Sequence, residues 1–263
     1  EHALEYAVLF DNKIKACIYL IWVDNTLVEE TVIDIIEGET RIEKRSYMNS
    51  IIEKFQPHVQ CGEIQVLLRK GRVYQEIAKA AKQIKADMIF AGTHGVSGYE
   101  QYWIGSNAYR IVSQAPCPVI TIRREYKFKN AIKNILLPLD SSLETKQKLP
   151  FAADLAKTFG ATIHLLKIFN TPLSVIRKRI EKYSADAEAC LKEKKVKYIT
   201  EEIEADNVAA SIIKYGHENK IDLISIMTDQ DTTTANKFLG PYAQQLINNS
   251  EIPVLSLRSK EID

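Results

Sequence analysis

Glycines recur at fixed spacing after residue 91, and they are the residues of this chain best suited to binding an anion. The segment Gly92-Thr93-His94-Gly95 is followed, after nine intervening residues, by Gly105, Ser106 and Asn107. Written as spacing, the pattern is G-x-x-G-x9-G-S. Glycine tolerates positive φ and lets backbone N–H groups come close to a ligand. The chemistry that this pattern predicts is the binding of phosphate by backbone amides.

The elements predicted around this loop place it where phosphate sites occur. A strand is predicted to end at Ala91, and a helix is predicted over Tyr102–Ser113. The N–H groups at a helix start have no partner within the helix, and the helix dipole there favours negative charge. In a doubly wound sheet, ligands bind at the carboxyl ends of the strands. Glycines alone would indicate only a surface turn, but their spacing between a strand and a helix favours a phosphate site.

The sequence favours binding over catalysis. His94 could serve as a general base, but no Ser or Cys nucleophile pattern surrounds it, so a contact with phosphate is the preferred interpretation. No Walker Lys-Ser/Thr sequence occurs, which excludes conventional P-loop hydrolysis. We therefore predict that the protein is not an enzyme. Any hydrolysis of a bound phosphate compound should be slow, because neither a positioned base nor an arginine finger is evident.

Composition excludes other classes of function. The 263 residues carry 35 Lys and Arg against 34 Asp and Glu, which argues against a basic nucleic-acid binder. The apolar runs, such as Ile18–Val23, are far shorter than the ~20 residues of a membrane span. The four cysteines form no CxxC pair, which fits a reducing cytosol and argues against a zinc module. We expect a cytoplasmic protein with neither nucleic acid nor membrane as partner, and no bound structural metal.

The two halves of the chain repeat each other. Residues 115–123 align with residues 250–258 at an offset of 135, as do Gly105 and Gly240, whereas residues 16–20 align with residues 161–165 at an offset of 145. Two tandem domains are therefore predicted, at residues 1–127 and 128–263. The basic segment between them, Arg124–Lys133, is interpreted as a solvated linker.

Short β-branched runs alternate with longer amphipathic stretches in both halves, which predicts parallel α/β sheets covered by helices on both faces. In the second half, strands are predicted at Asn134–Leu139, Ala161–Ile168, Val196–Glu201, Ile221–Met227 and Ile252–Leu257, with helices at Thr145–Phe159, Ser174–Lys194, Asn207–Glu218 and Ala235–Asn248. In the first half, strands are predicted at Lys15–Val23, Ile64–Arg69, Met88–Ala91 and Val119–Ile122, with helices at Leu4–Phe10, Arg41–Phe55, Val73–Ile84 and Tyr102–Ser113.

The first half lacks a counterpart of the strand Ile135–Leu139 and of Asp140, which follows it. By the repeat, Glu1 aligns with Lys146, so about fifteen residues are expected ahead of Glu1. A strand from elsewhere in that place is the alternative. Without a strand there, two sheet fragments would carry unpaired backbone, which is costly when buried.

Both halves resemble universal stress protein domains, and the resemblance extends along essentially the whole chain. The residues that carry it are those of segments 86–95, 105–108 and 117–120. The G-x-x-G-x9-G-S signature is that of the ATP-binding branch of the family. The resemblance implies two tandem Rossmann-like domains of the adenine nucleotide alpha hydrolase type, each a five-stranded parallel sheet. It implies ATP, with Mg²⁺, as the ligand.

The same resemblance implies roles for individual residues of the first domain. Gly92, His94 and Gly95 would line the triphosphate loop, and Gly105, Ser106 and Asn107 would meet phosphate at the helix start. Val23 and Asp24 lie at the end of the second strand of the family fold, where the adenine binds.

The second half departs from this pattern. Gly92 aligns with Met227, Gly95 with Gln230 and Ser106 with Pro241, so side chains replace bare backbone and one N–H donor is lost. We predict that the second domain does not bind ATP as the first does. It would instead pair its fifth strand with that of the first domain, as an intramolecular pseudo-dimer; further homodimerisation is left open.

The sequence thus predicts a tandem universal stress protein that binds ATP in its first domain and has a regulatory role in the stress response. Two alternatives remain. One is a tandem stress protein without nucleotide binding that acts as a scaffold for proteins or a small apolar ligand. The other is a nucleotide-dependent transferase on the same fold, for which no acceptor site is evident.

Overall fold

The computed structural model describes residues 1–25, 34–93, 106–228 and 239–259. Helices and strands alternate throughout these ranges. In the first half they are α1 (His2–Ile14), β1 (Tyr19–Asp24), α2 (Asp34–Phe55), β2 (Gln65–Lys70), α3 (Val73–Gln83), β3 (Ile89–Gly92), α4 (Ser106–Gln114) and β4 (Val119–Ile122). In the second half they are β5 (Asn134–Leu139), α5 (Lys148–Phe159), β6 (Thr162–Phe169), α6 (Ser174–Glu193), β7 (Tyr198–Glu204), α7 (Val208–Glu218), β8 (Leu223–Met227), α8 (Pro241–Asn249) and β9 (Val254–Leu257).

Two predicted helix starts in the second half are wrong. The helix predicted from Thr145 begins at Lys148, after a separate 3₁₀ turn over Leu143–Lys146. The helix predicted from Ala235 begins at Pro241, because Gly240 is extended (φ −57°, ψ 151°) and Pro241 occupies the first helical position. Proline suits that position, since it lacks an N–H that the helix would leave without a partner.

The second half forms a parallel, doubly wound sheet, as predicted. Its strands take the order β9-β8-β5-β6-β7, and every neighbouring pair in it is parallel. The two central strands are almost wholly buried: the side chains of β8 are all buried, as are those of β5 from Ile135 to Leu139. This burial explains why these strands read as continuous apolar runs.

The two halves join edge to edge through their last strands. β4 pairs antiparallel with β9, with Val119 opposite Ser256, Ile120 opposite Leu255 and Thr121 opposite Val254. One seven-stranded sheet with the order β3-β4-β9-β8-β5-β6-β7 results. The intramolecular pairing of the two fifth strands that the sequence predicts is therefore confirmed.

The strands of the first half fall into two groups. β1 and β2 form a separate two-stranded parallel sheet, whereas β3 and β4 belong to the seven-stranded sheet. In the second half β5 lies between β8 and β6, but no strand among the described residues lies between the equivalent β3 and β1. The described part of the first half thus lacks a counterpart of β5, as the repeat predicts.

An aromatic cluster packs α1 of the first half against the second half. The Phe10 ring lies 4.9 Å from that of Phe159 in α5 and 5.0 Å from that of Phe90 in β3. Tyr6 is wholly buried, and its hydroxyl donates to the carbonyl of Asp222, 3.1 Å away. These contacts fix α1 across both halves, since each buried aromatic side chain contributes a large apolar area.

The segment between the halves is more ordered than a solvated linker, so that prediction is wrong. Tyr126 is 7% exposed and Ile132 is 2% exposed, and both belong to the main core. Lys129 Nζ lies 2.7 Å from a carboxylate oxygen of Asp222, and the other oxygen accepts from the backbone N–H of Lys133 at 2.8 Å. The buried carboxylate of Asp222 is thereby satisfied by the segment itself.

Candidate functional site

The end of β3 and the start of α4 lie where the sequence predicts the two sides of a phosphate loop. Gly92 is exposed at the end of β3, and the next residue, Thr93, is buried, with its N–H donating to the Ile122 carbonyl at 3.0 Å. α4 begins at Ser106. His94, Gly95 and Gly105, the other predicted residues of the loop, lie outside the described residues.

The packing of α4 sets the direction of its first turn. Ala108, Ile111 and Val112 are buried, at spacings of three and four residues that place them on one face of the helix. Asn107 in the first turn is exposed. The helix start is therefore held by the core behind it while Asn107 faces solvent, as an anion site at a helix N-terminus requires.

A cavity of about 440 Å³ lies at the carboxyl ends of β1 and β2, where α2 covers the sheet. Asp24 and Trp22 line it from β1, and Met48 lines it from α2. Val23 is not among its lining residues. The structure thus brings one of the two predicted strand-end residues, Asp24, to this cavity.

Three basic residues also line this cavity, and the sequence reasoning missed them. They are Arg45 of α2 and Arg69 and Lys70 of β2. Arg69 donates to Gln83 Oε1 at 3.1 Å, and no carboxylate among the described residues pairs with Arg45 or Lys70. Among the described lining residues, the three cations outnumber the one carboxylate, that of Asp24, which suits an anionic ligand.

Pairing between strands was the signal that could have found these cations. In the register of β1 and β2, Asp24 lies opposite Lys70 and Trp22 lies opposite Leu68. Residues opposite each other share a face of the sheet. The sequence predicted both strands but not their register, so Lys70 could not be placed beside Asp24.

The second half has a much smaller cavity at the carboxyl ends of β5 and β8, where β8 is the equivalent of β3. It measures about 30 Å³, and Asp140, Lys148, Met227 and Tyr242 are among its lining residues. One oxygen of Asp140 accepts from both the N–H and the hydroxyl of Ser142, at 2.9 and 2.6 Å. A space of this size holds about one water molecule and not a nucleoside.

A buried lysine lines this small cavity. Lys148 is 3% exposed, and its ammonium donates to Thr145 Oγ1 at 3.0 Å. Burial lowers the pKa of Lys148 to about 8, and the nearby Asp140 opposes that shift. The charged ammonium of Lys148 is therefore buried with few compensating contacts, which lowers the stability of the folded protein.

The helix start in the second half also offers fewer donors than α4 does. The N–H of Gly240 donates to the carbonyl of Thr228 at 2.8 Å, which closes the turn onto the end of β8. Pro241 at the first position of α8 has no N–H. At this helix start, the N–H of Gly240 is therefore already hydrogen-bonded, and Pro241 has no N–H to offer to a phosphate.

No group of three or more His, Cys, Asp or Glu side chains in the described part of the chain could hold a metal ion. The helices described there include none that combines the length and apolar character of a membrane span.

A parallel α/β sheet in each half, joined through the last strands of both, defines a tandem Rossmann-like fold. The sequence model of the universal stress protein family matches the chain twice, over residues 1–123 and 131–258. The chain belongs to the universal stress protein family.

Individual relatives agree with this assignment. The structure of a universal stress protein from Archaeoglobus fulgidus superposes with a TM-score of 0.74 at 17% identity, covering 97% of this chain and 91% of that one. At such identity the likeness shows the fold alone. A universal stress protein of Thermus aquaticus is 40% identical over 57 residues, which is 22% of this chain and 42% of the relative. One from Methanocaldococcus jannaschii is 35% identical over 65 residues, 25% of this chain and 38% of the relative.

Proposed function

We propose that this protein is a tandem universal stress protein that binds ATP, with Mg²⁺, in its first domain and serves a regulatory role rather than catalysing a reaction. The observation that carries the proposal is the placement of Gly92 at the carboxyl end of β3, with α4 beginning at Ser106 after the glycine-spaced loop. Backbone amides at such a strand–loop–helix unit bind phosphate without requiring a basic side chain.

Charge and space near the end of β1 support the same ligand. The cavity beside Asp24 has about 440 Å³, which is within the range of roughly 300–1,000 Å³ typical of small-molecule sites. Arg45 and Lys70 would offset the negative charge of the phosphates. Mg²⁺ would be held mainly by phosphate oxygens and water, as is usual for this cation.

The second domain is proposed to be a structural and regulatory partner without ATP. The cavity of about 30 Å³ leaves no space for a nucleoside, and the Gly240 amide is already bonded to Thr228. Its role would be to pair with the first domain through β9.

Isothermal titration of the full chain with ATP and Mg²⁺ tests this function. We expect one ATP bound per chain, with adenosine binding more weakly because it lacks phosphate. No heat at millimolar ATP would reject the proposal in favour of a scaffold without nucleotide. Binding of two equivalent ATP molecules would reject the assignment of the second domain.

A phosphate-release assay tests the absence of catalysis. We expect no sustained release of phosphate from bound ATP, since the described residues of the site include no positioned general base. Steady turnover with ATP alone would make the protein a hydrolase. Turnover that depends on an added acceptor would favour a transferase.

A further inference from the structure

Two cysteine side chains of the first half lie next to each other. The Sγ atoms of Cys17 and Cys61 are 3.8 Å apart, although 44 positions separate these residues in the sequence. Cys17 is exposed and Cys61 is partly exposed, so small oxidants can reach the pair. A disulfide has an S–S length of about 2.05 Å, so modest side-chain rotation would bring the two sulfurs to bonding distance.

The parallel pairing of β1 with β2 holds the two cysteines together. Cys17 comes just before β1 and Cys61 just before β2, and the N–H of Gln65 donates to the carbonyl of Ile18 at 2.9 Å. The two segments that carry the thiols are therefore fixed side by side at the amino ends of both strands.

Side-chain hydrogen bonds also fix the loop that carries Cys61. Gln56 donates through its amide nitrogen to the carbonyl of Gly62 at 3.0 Å and accepts from the N–H of Ile64 at 2.9 Å. The buried carboxylate of Asp11 in α1 accepts from the N–H of Gln60, next to Cys61. The approach of the thiols is thus supported from both sides of Cys61.

We propose that Cys17 and Cys61 form an oxidative modification site that closes to an intramolecular disulfide when the protein meets a peroxide. The thiolate of Cys17, the more exposed of the two, attacks one peroxide oxygen; the O–O bond breaks, and a sulfenic acid and one water are formed. The Cys61 sulfur then attacks the sulfenic sulfur, the S–S bond forms, the S–O bond breaks and a second water leaves. In sum, two thiols and one hydrogen peroxide give one disulfide and two waters, and a dithiol reverses the change.

The other two cysteines differ in ways that make the site selective. Burial raises the pKa of the Cys117 thiol to about 11, so little of it is the reactive thiolate at neutral pH. The pKa of Cys61 is also raised, chiefly by its hydrogen bond with Cys17, so Cys61 suits the second step better than the attack on peroxide. Cys190 lies in α6 of the second half and is partly buried. Neither has a sulfur–sulfur contact within the described residues, in contrast to the Cys17–Cys61 pair.

The disulfide would constrain the first half without reaching its candidate nucleotide site. It would close a loop that contains β1 and α2, which reduces the entropy of the unfolded chain. Asp24 and Lys70 lie at the opposite ends of β1 and β2, and a strand rises about 3.3 Å per residue. The six-residue strands therefore separate the thiols from the cavity, and oxidation should leave ATP affinity unchanged.

Peroxide treatment of the full chain, followed by thiol titration and peptide mass mapping, tests this proposal. Titratable thiols should fall from four to two, a crosslinked Cys17–Cys61 peptide should appear in monomeric protein, and dithiothreitol should restore all four. The oxidised protein should melt several degrees higher than the reduced one. Cys117→Ser is the matched control and should still form the crosslink.

Three results would overturn the proposal. One is oxidation of Cys17 to sulfinic acid while Cys61 stays a free thiol. The second is a disulfide that joins either residue to Cys117, Cys190 or another chain in the main product. The third is an unchanged rate of disulfide formation in Cys17→Ser or Cys61→Ser. Because the readouts are thiol chemistry and melting, they are independent of whether ATP binds.

Discussion

The start of α4 is the place where the proposed phosphate site can be tested with least disturbance of the fold. Ser106 is the first residue of α4, and Pro241 is the first residue of α8 at the equivalent position of the second half. Replacing Ser106 by Pro therefore gives the first half the helix start that the second half already has. Proline at a first helical position removes an N–H that the helix itself does not use.

The size of the effect follows from the hydrogen bond that is lost. A backbone N–H bonded to a charged group contributes roughly 1.5–3 kcal/mol, and since about 1.4 kcal/mol is tenfold in Kd, Ser106→Pro should weaken ATP binding about 10- to 150-fold. The free energy of unfolding should change by less than about 0.5 kcal/mol, because the helix does not use the N–H that proline removes.

Two further variants separate the possible causes. Ser106→Ala keeps the N–H and removes only the hydroxyl, so a neutral hydrogen bond at most is lost and the expected weakening is about 2- to 10-fold. Pro241→Ser restores a donor in the second half but should create no ATP site, because Met227 and the neighbouring side chains still leave only about 30 Å³.

Isothermal titration, together with urea denaturation of each variant, makes the measurement. If Ser106→Pro stays folded and binds ATP as tightly as the parent, the start of α4 does not contact phosphate and the reasoning from the helix N-terminus is refuted. If Pro241→Ser gains a second ATP per chain, the second site is closed only by its proline, and the argument from cavity size is wrong.

Three stability predictions concern other parts of the structure. Tyr6→Phe removes the hydroxyl that donates to the Asp222 carbonyl across the two halves; it should lower the free energy of unfolding in urea by about 1 kcal/mol, and no change would mean that this bond does not stabilise the pairing. Lys148→Met removes a buried ammonium whose pKa in the folded protein, about 8, lies below the unfolded value of 10.5. Stability of the parent should therefore rise with pH between these values, and the variant should lose that rise and be up to about 3 kcal/mol more stable at neutral pH; a less stable variant would contradict this. Burial likewise lowers the pKa of His164 below 6.5, so acidification through that value should destabilise the parent because the unfolded chain takes up the proton first. His164→Gln should reduce this loss in urea titrations at several pH values, and an identical loss would exclude His164 as its source.

Periodicity and repeat arithmetic predicted most of the sheet because those signals are local. The strands Val119–Ile122 and Asn134–Leu139 have the predicted bounds. The pairing of the two last strands was predicted from the resemblance to dimers of the universal stress protein family, and it is present in the structure. Buried strands covered on both faces by helices must be apolar throughout, so their sequences identify them without knowledge of their neighbours.

The features that the sequence did not predict depend on contacts between distant segments. Arg124–Lys133 looks solvated because its charges dominate, whereas its burial at Tyr126 comes from packing beside Tyr6 of α1, with ring centroids 5.8 Å apart. The cavity cations are similar, since Arg45 lines the same cavity as Lys70 only because α2 covers the β1–β2 sheet. To predict this proximity, one must know the register of the strands and the position of the helix. Amino-acid composition specifies neither.

The symmetry of the join explains why the two copies agree at their ends and differ in their loops. Ile120 pairs with Leu255, its own equivalent at the offset of 135, while Val119 pairs with Ser256 and Thr121 pairs with Val254. The pairing is thus related by a local two-fold axis at Ile120, so each fifth strand contacts the equivalent surface of the other, as in an isologous dimer.

A change in either fifth strand alters a contact that both copies share, and an unpaired buried backbone group there would be costly. The loops that follow β3 and β8 are under no such constraint, because the two halves join through β4 and β9 and not through β3 or β8. One loop can keep the amides that a phosphate needs while the other closes through the Gly240–Thr228 hydrogen bond. Fusion of two copies in one chain therefore permits one binding site and one structural partner, which a dimer of identical chains does not.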